Sequence, residues 1–112
     1  MKSLRNKVQL IGNVGQEPEV QTLKSGSKLA RFRMATNETY RNARDERITN
    51  TQWHNIVAWN KTAEIIETLV SKGRQIAVSG KLTSRSWEDT NGNKHYSTEV
   101  VCNEIVVLGS NI

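Results

Sequence analysis

The sequence is poor in the residues that mark secreted, disulfide-stabilised or membrane-spanning chains. Its 112 residues include one cysteine, Cys102, and one proline, Pro18. One cysteine cannot form an intramolecular disulfide, which favours a reducing compartment, and the apolar run around Cys102 indicates a small buried side chain. No apolar run approaches the roughly 20 residues of a membrane span, and the N-terminus lacks the apolar core of a signal peptide. We therefore expect a soluble, cytoplasmic protein that forms one domain.

Motifs for catalysis are also absent from the sequence. His54 and His95 fall in different predicted strands, and neither has cysteine or histidine neighbours at metal-ligand spacing. The 11 acidic residues form no paired-carboxylate motif, and there is no glycine-rich phosphate loop or nucleophile elbow. The sequence therefore predicts that the protein is not an enzyme and needs no metal or other cofactor.

What the sequence does contain is an excess of positive charge. Sixteen Lys and Arg residues against 11 Asp and Glu residues give a formal net charge of +5. A balance of this size favours a polyanionic partner, although many small basic proteins bind nothing acidic. Charge alone therefore leaves the question of a nucleic-acid partner open.

Alternating apolar and polar residues predict an all-β protein with one short helix. Apolar residues at helical spacing over 63–70 follow a fair N-cap, Asn60, and precede a C-terminal glycine, Gly73. Three principal strands, the helix and two further strands follow in the order of an OB-fold, a five-stranded Greek-key β-barrel whose helix plugs one end. We expect the charged residues 37–50 to form a long mobile hairpin loop. The predicted strands cover residues 7–14, 20–23, 29–40, 51–60, 74–87 and 96–108.

The stretch 51–60 carries two of the three tryptophans. Alternate residues of a strand share a face, so Trp53, Asn55 and Trp59 lie on one side of this strand. His54 lies on the other side with apolar neighbours, and we interpret it as a core or subunit-contact residue rather than a ligand. Two large rings on a polar face need a partner that they can contact.

Aromatic and basic residues are interleaved elsewhere too, a pattern typical of single-stranded nucleic-acid binding. Unpaired bases offer flat surfaces to aromatic rings, and Lys or Arg neutralises the phosphates between them. The plainer alternative is that the tryptophans are core or interface residues and the arginines form a solvated face. We predict stacking on Tyr40, Trp53, Trp59 and Trp87, and phosphate contacts from Arg31, Arg33, Arg85, Lys61 and Lys81, with the loop residues Arg41, Arg44 and Arg47 as further candidates.

Several separated blocks resemble the bacterial single-stranded DNA-binding proteins in order and spacing: residues 6–20, 32–38, 51–54, 73–82, 85–87 and 96–101. The resemblance implies an OB-fold that binds single-stranded DNA without sequence preference during replication, repair and recombination. It also implies a homotetramer built from paired dimers, with a cytoplasmic, nucleoid-associated location. The family's stacking positions fall on Tyr40, Trp53, Trp59 and Trp87, and His54 matches a histidine at the subunit interface. Asn55 stands where a basic residue is common.

The C-terminal end departs from that resemblance. Typical members continue into a flexible tail with an acidic tip that recruits replication and repair enzymes, whereas this sequence stops at Ile112 without one. We therefore expect a DNA-binding domain over residues 1–109 and a short remnant over 110–112, and recruitment of partners through a tail is in doubt. Two alternatives stay open: a primosomal replication protein of the same fold that acts through protein partners, and an oligomeric interaction protein whose rings are buried between subunits.

Overall fold

The computed structural model describes residues 4–108, so the predicted remnant at 110–112 lies outside the described residues. A short 3-10 helix, Leu4–Asn6, precedes six strands and one α-helix. The elements are β1 (Val8–Val14), β2 (Glu19–Thr22), β3 (Lys28–Arg41), β4 (Arg47–Trp59), α1 (Asn60–Leu69), β5 (Gln75–Glu88) and β6 (Lys94–Leu108).

The strands close into a barrel, as predicted. The sheet runs in the order β1-β5-β6-β4-β3, and an additional β1–β3 pairing joins its two ends. The pairs are antiparallel except β4 with β6, which run parallel at Ile56 and Val57. The short strand β2 lies outside this ring, paired only with β3. The result is the five-stranded OB-fold barrel, with β2 as an extra edge strand.

Closure of the barrel depends on a glycine in β1. A Cβ atom on Gly12 would lie 2.1 Å from the backbone oxygen of Ala35 on β3. Any side chain at this position would therefore force β1 away from β3, which pair only at Asn13 and Val14. The physical reason for a glycine at this position is the close backbone approach, and not a bulge, because the register shift occurs in β5 between Ser79 and Gly80.

The core fills the barrel and the end that the helix covers. Met34, Ile56, Ile66 and Ile76 are its largest fully buried side chains, and each such side chain contributes about 1.5–3 kcal/mol of stability by leaving water. Cys102 is buried as predicted, and burial raises the pKa of its thiol. This reduces the thiolate character that reactivity requires.

The helix is present, but its ends differ from the prediction. Asn60 is not the N-cap: it has a positive φ of 51°, and its Oδ1 accepts a hydrogen bond from the backbone N–H of Lys28 at 3.1 Å. Asn60 thus ties the start of α1 to β3. Gly73 lies beyond the helix in a turn, where its N–H donates to the carbonyl of Val14. Leu69 is exposed, although its spacing predicted a core position.

The largest correction concerns residues 37–50, which do not form a long loop. The pairing of β3 with β4 continues without a bulge as far as Arg41 and Arg47. Only residues 42–46 form the turn, where Asn42 Oδ1 accepts hydrogen bonds from two backbone N–H groups, at 2.9 and 3.0 Å. The ribbon projects beyond the barrel and both its sides face solvent, so the apolar alternation that marks half-buried strands is missing. We call residues 36–52 the arm.

Candidate nucleic-acid interface

One outer surface of the barrel runs across β3, β4, β6 and β5. Residues directly opposite one another in paired strands share a face: Arg33 lies opposite Asn55, and Thr83 lies opposite Glu99. The parallel pairing at Val57 joins the two hairpins into one surface. We call this surface the tryptophan face. By strand alternation it carries most of the predicted binding residues, namely Trp53, Trp59, Trp87, Arg31, Arg33, Arg85 and Lys81.

The three tryptophans are not core residues within the chain. Trp53, Trp59 and Trp87 are 51%, 41% and 44% exposed. Rings half open to water can be covered by a ligand or by another subunit, so the core alternative drops out and the interface alternative remains.

Trp53 is held by contacts on the neighbouring elements. The guanidinium carbon of Arg33 lies 4.8 Å from the centroid of its ring, a distance at which a cation is attracted to the π-face. The ring also packs against Gly15, where an added Cβ would lie 2.4 Å from Cζ3 of Trp53. The N–H of Gly15 donates to the carbonyl of Arg33 at 2.8 Å, which holds the glycine in place. The strand pattern does not identify Gly15 as part of the site, because alternation does not show which ring a glycine supports.

Trp87 is held by one residue of its own strand and one of the neighbouring strand, near the tip of the β5–β6 hairpin. The guanidinium carbon of Arg85 lies 5.2 Å from its ring centroid, and the imidazole of His95 stacks on it at 5.5 Å and 22°. His95 Nε2 lies 2.9 Å from Asp89 Oδ2, and the other Asp89 oxygen accepts two backbone N–H groups of the turn. The hydrogen bond with His95, followed by those backbone bonds, lowers the pKa of Asp89 below 3.8. The sequence missed His95 as a neighbour of Trp87 because the contact is across strands.

A carboxylate occupies the middle of the tryptophan face. Among residues 4–108, Glu99 is the only charged residue that is buried, with 8% of its surface exposed. Its Oε2 accepts a hydrogen bond from Arg31 Nη1 at 2.8 Å and lies 3.6 Å from Arg85 Nε. The three side chains border a cavity of about 270 Å³ that Arg33 and Asn55 also line. Two arginines predicted to bind phosphate therefore already share an anion.

Two predicted residues lie off this face. The register is constant along the whole β3–β4 pair, so Tyr40, opposite Ile48, projects from the side of the arm opposite to Trp53. Tyr40 is 49% exposed and shares its side of the ribbon with His54, whose Nε2 lies 2.9 Å from Thr36 Oγ1. Lys61 is exposed on α1 rather than on the sheet.

The Trp53 side of the arm is polar and basic as far as its tip. Arg41 and Arg47 lie opposite each other on this side, an arrangement of like charges that costs stability and that a polyanion relieves. Arg41 Nη1 also donates to the Asp45 carbonyl at 3.0 Å and forms an ion pair with the Asp45 carboxylate at 3.4 Å. Arg44 is exposed within the turn. The paired positions of this side of the arm carry no acidic side chain: Asn37 with Thr51, Thr39 with Thr49, and Arg41 with Arg47.

No three His, Cys, Asp or Glu side chains within residues 4–108 come together as a metal ion requires. Of the helices in that range, none has the length and apolar character to cross a bilayer.

Comparison with known proteins decides the family. The sequence profile of the single-strand binding protein family matches residues 5–108. The chain belongs to this family. Its members are binding proteins rather than enzymes, in agreement with the prediction from the sequence.

Two curated relatives of this chain are both named as single-stranded DNA-binding proteins. The single-stranded DNA-binding protein 1 of Chlorobaculum tepidum is 42% identical over 106 residues, which cover 94% of this chain and 65% of the relative. The single-stranded DNA-binding protein of Rhizobium meliloti is 44% identical over 98 residues, which cover 86% of this chain and 56% of the relative. The family member described here thus spans less than two thirds of the length of either relative.

Solved structures of the family agree with the barrel. The structure described as the Plasmodium falciparum SSB complex with ssDNA matches with a TM-score of 0.87 and 36% identity, covering 97% of this chain and 98% of the other. A deletion mutant of the Thermus aquaticus single-stranded DNA-binding protein matches with a TM-score of 0.82 over 95% of this chain and 51% of the other. Its 24% identity to this chain bears on the fold alone.

Proposed function

We propose that this protein binds single-stranded DNA without sequence preference and keeps it unpaired and protected during replication, repair and recombination in the cytoplasm. The observation that carries the proposal is the tryptophan face, where three half-exposed indole rings and several arginines share one continuous surface. The likeness to a family structure described as a complex with ssDNA supports it.

Bases stack on the rings in this mechanism, and arginines neutralise the phosphates between them. Each base–aromatic stack contributes about 1–3 kcal/mol and tolerates any base, because every base has a π-face. Duplex DNA has no free base faces to offer, so the same surface discriminates in favour of single strands. Trp53, Trp59 and Trp87 form the main track, and Tyr40 receives a base only from a strand that crosses the edge of the arm.

Phosphate contacts divide into two groups by their position. Arg31, Arg33 and Arg85 lie among the rings, while Arg41 and Arg47 extend the basic surface to the tip of the arm. Lys81 and Lys61 at the margins of the barrel complete the proposed set, together with Arg44 in the turn. No cofactor takes part.

The protein acts as a homotetramer of paired dimers in this proposal, with His54 at a subunit interface. Exposed apolar side chains elsewhere on the barrel support an oligomer: Ile11 on β1 is 61% exposed and Val106 on β6 is 54% exposed. Side chains of this kind gain stability when a second subunit covers them. Light scattering of the free protein measures the mass, and a monomer would contradict the tetramer.

Tryptophan fluorescence tests the binding itself. Titration with single-stranded oligo-dT at low salt should quench the emission of Trp53, Trp59 and Trp87, and the apparent affinity should fall as salt is raised. A duplex of the same length is the matched control and should quench weakly. Absence of quenching by oligo-dT at low salt would overturn the proposal and favour an interaction protein with rings covered by subunits. Binding that needs a second replication protein would favour the primosomal alternative.

A further inference from the structure

We propose that Glu99 is an internal competitor of the DNA phosphates: it holds Arg31 and Arg85 in the free protein and releases them when a strand binds. This inference rests on the proposed function and concerns how the same face is regulated. It assigns a role to a carboxylate that the stacking mechanism does not use.

The position of Glu99 makes it a fixed anion rather than a surface charge. Its side chain is 11% exposed, against 39% for Arg31 and 55% for Arg85. The carboxylate thus lies beneath the two guanidinium groups, whose outer parts remain open to an incoming strand. Glu99 Oε2 is 2.8 Å from Arg31 Nη1 and 3.6 Å from Arg85 Nε, so one oxygen atom serves both arginines.

The chemistry of the contact is the chemistry of a phosphate contact. Guanidinium groups bind carboxylate and phosphate oxygens through the same charge-assisted N–H bonds, often two at a time. With Glu99 ionised, the trio of Glu99, Arg31 and Arg85 carries a net charge of +1 rather than +2. A phosphate at Arg31 must therefore replace an existing hydrogen bond, and a phosphate at Arg85 must displace an ion pair. Either phosphate approaches a carboxylate of its own sign.

Arg33 provides the contrast within the same surface. It follows Arg31 by two residues on the same side of β3, and its guanidinium lies over Trp53 at 4.8 Å. Arg33 takes part in none of the ion pairs found within residues 4–108, although Glu19 lines the same cavity. Arg33 is available to phosphate in the free protein, whereas Arg31 and Arg85 are available only at the expense of Glu99. The competition lowers affinity and salt dependence below what the number of arginines predicts.

The first test removes the competing charge. In Glu99→Gln, the affinity for oligo-dT should rise roughly two- to fivefold, the scale of a partly exposed ion pair. The slope of log affinity against log salt should steepen by about 0.7 for each additional phosphate that the protein neutralises. Glu104→Gln removes the same charge from the same strand, but Glu104 lies opposite Ser79, whereas Glu99 lies opposite Thr83. Because Glu104 forms no ion pair with Arg31 or Arg85, this variant should change neither quantity. An affinity of Glu99→Gln equal to or below that of the wild type would overturn the competition.

A double-mutant cycle separates competition from positioning. If Glu99 competes, Arg31→Gln costs little affinity in the wild type and more in the Glu99→Gln background. If Glu99 instead positions Arg31 for DNA, the cost of Arg31→Gln falls or vanishes in that background, which would overturn the proposal. Thermal unfolding of each variant establishes that the barrel is intact.

A second comparison needs no change at Glu99 and decides the matter if Glu99→Gln does not fold. Arg31→Gln should weaken binding less than Arg33→Gln, because only Arg31 is held by a carboxylate. An equal or larger cost at Arg31 would contradict the competition. Failure of the wild-type protein to bind oligo-dT would be a failure of the proposed function, whereas wild-type binding without these differences would overturn only the role of Glu99.

Discussion

The two sides of the β3–β4 arm differ although they belong to the same pair of strands. The Trp53 side leads through paired threonines and asparagine to Arg41 and Arg47. The opposite side carries Tyr40 beside Ile48, and Glu38. Because the register is constant, every residue is assigned to its side by odd or even position alone. Alternation has separated a basic surface, whose paired strand positions carry no carboxylate, from one with a carboxylate and an isolated ring.

This separation shows how strongly the interface depends on strand register. A slip of one residue would exchange the two sides of one strand along the whole arm. Inside the barrel the buried row of Phe32 and Met34 prevents such a slip, because moving it would expose the core. The core thus sets the position of charges that lie well beyond it.

The largest expected effect is the difference in DNA affinity lost when the aromatic residue on each side of the arm is removed. Trp53→Ala should weaken oligo-dT binding by about 1–3 kcal/mol, the contribution of one stack, or roughly 5- to 150-fold in Kd. Tyr40→Ala should weaken it by less than about 0.7 kcal/mol, roughly threefold, because Tyr40 faces away from the track. Fluorescence anisotropy of labelled oligo-dT measures both, and equal losses would show that the strand contacts both sides of the arm.

A smaller loss is expected when the support of Trp53 is altered rather than the ring itself. In Gly15→Ala the new Cβ would lie 2.4 Å from Cζ3 of Trp53, so the indole must move. We expect a loss of roughly 1 kcal/mol, part of one stack, and a shifted emission maximum of the free protein. In the Trp53→Ala background the same change should have no further effect on affinity; a persistent loss would place the damage in the fold.

Moving the positive charge of Arg33 from β3 to the opposite position on β4 should show whether DNA binding depends on the face that carries the charge or on the strand. Arg33→Gln should weaken binding by about 0.5–1 kcal/mol, the scale of an exposed cation–π and phosphate contact. Its salt slope should fall by about 0.7. Asn55→Arg added to this variant should restore both, because directly opposite side chains lie about 4.5–5.5 Å apart. Failure of the double variant to recover would mean that the contact with Trp53 requires Arg33 itself.

The smallest effect concerns the tip of the β5–β6 hairpin and depends on pH. The folded state lowers the pKa of Asp89 below 3.8 through His95 and the turn N–H groups, so ionised Asp89 favours folding above that pH. This contribution should disappear as pH falls through the lowered pKa. Asp89→Asn, which keeps an acceptor for the turn, should have a slightly lower Tm at neutral pH and the wild-type Tm once the pH is below the lowered pKa of Asp89. A Tm difference that is unchanged by pH would show that the charge of Asp89 plays no part.

The sequence pattern predicted the side of a residue best in strands that have one buried face and one exposed face. Alternation within residues 51–60 predicted that Trp53 and His54 lie on opposite sides of their strand. The OB-fold followed from the order of strands and helix and is confirmed. The prediction of a long loop over residues 37–50 was wrong, because a ribbon exposed on both sides has no apolar row to reveal its period. For the same reason the sequence did not show on which side of the ribbon Tyr40 lies.

Local signals at the helix also had limits. Ala63 and Ile66 are buried as their spacing predicted, but Asn60 bonds to Lys28 on β3 instead of capping the helix. An asparagine at the start of a helix can cap the helix or bond to another element, and the local sequence is the same in both cases. Only the neighbouring strand distinguishes them.

The sequence by itself determined which chemical groups the protein has and on which side of each regular strand they lie, because a strand's period of two is a local property. The tertiary structure decided which of those groups meet. It brought Gly15 under Trp53, His95 onto Trp87, and Glu99 between Arg31 and Arg85. These contacts join residues that are distant in sequence or on different strands, and their geometry follows from the closure and register of the barrel, which no local pattern encodes.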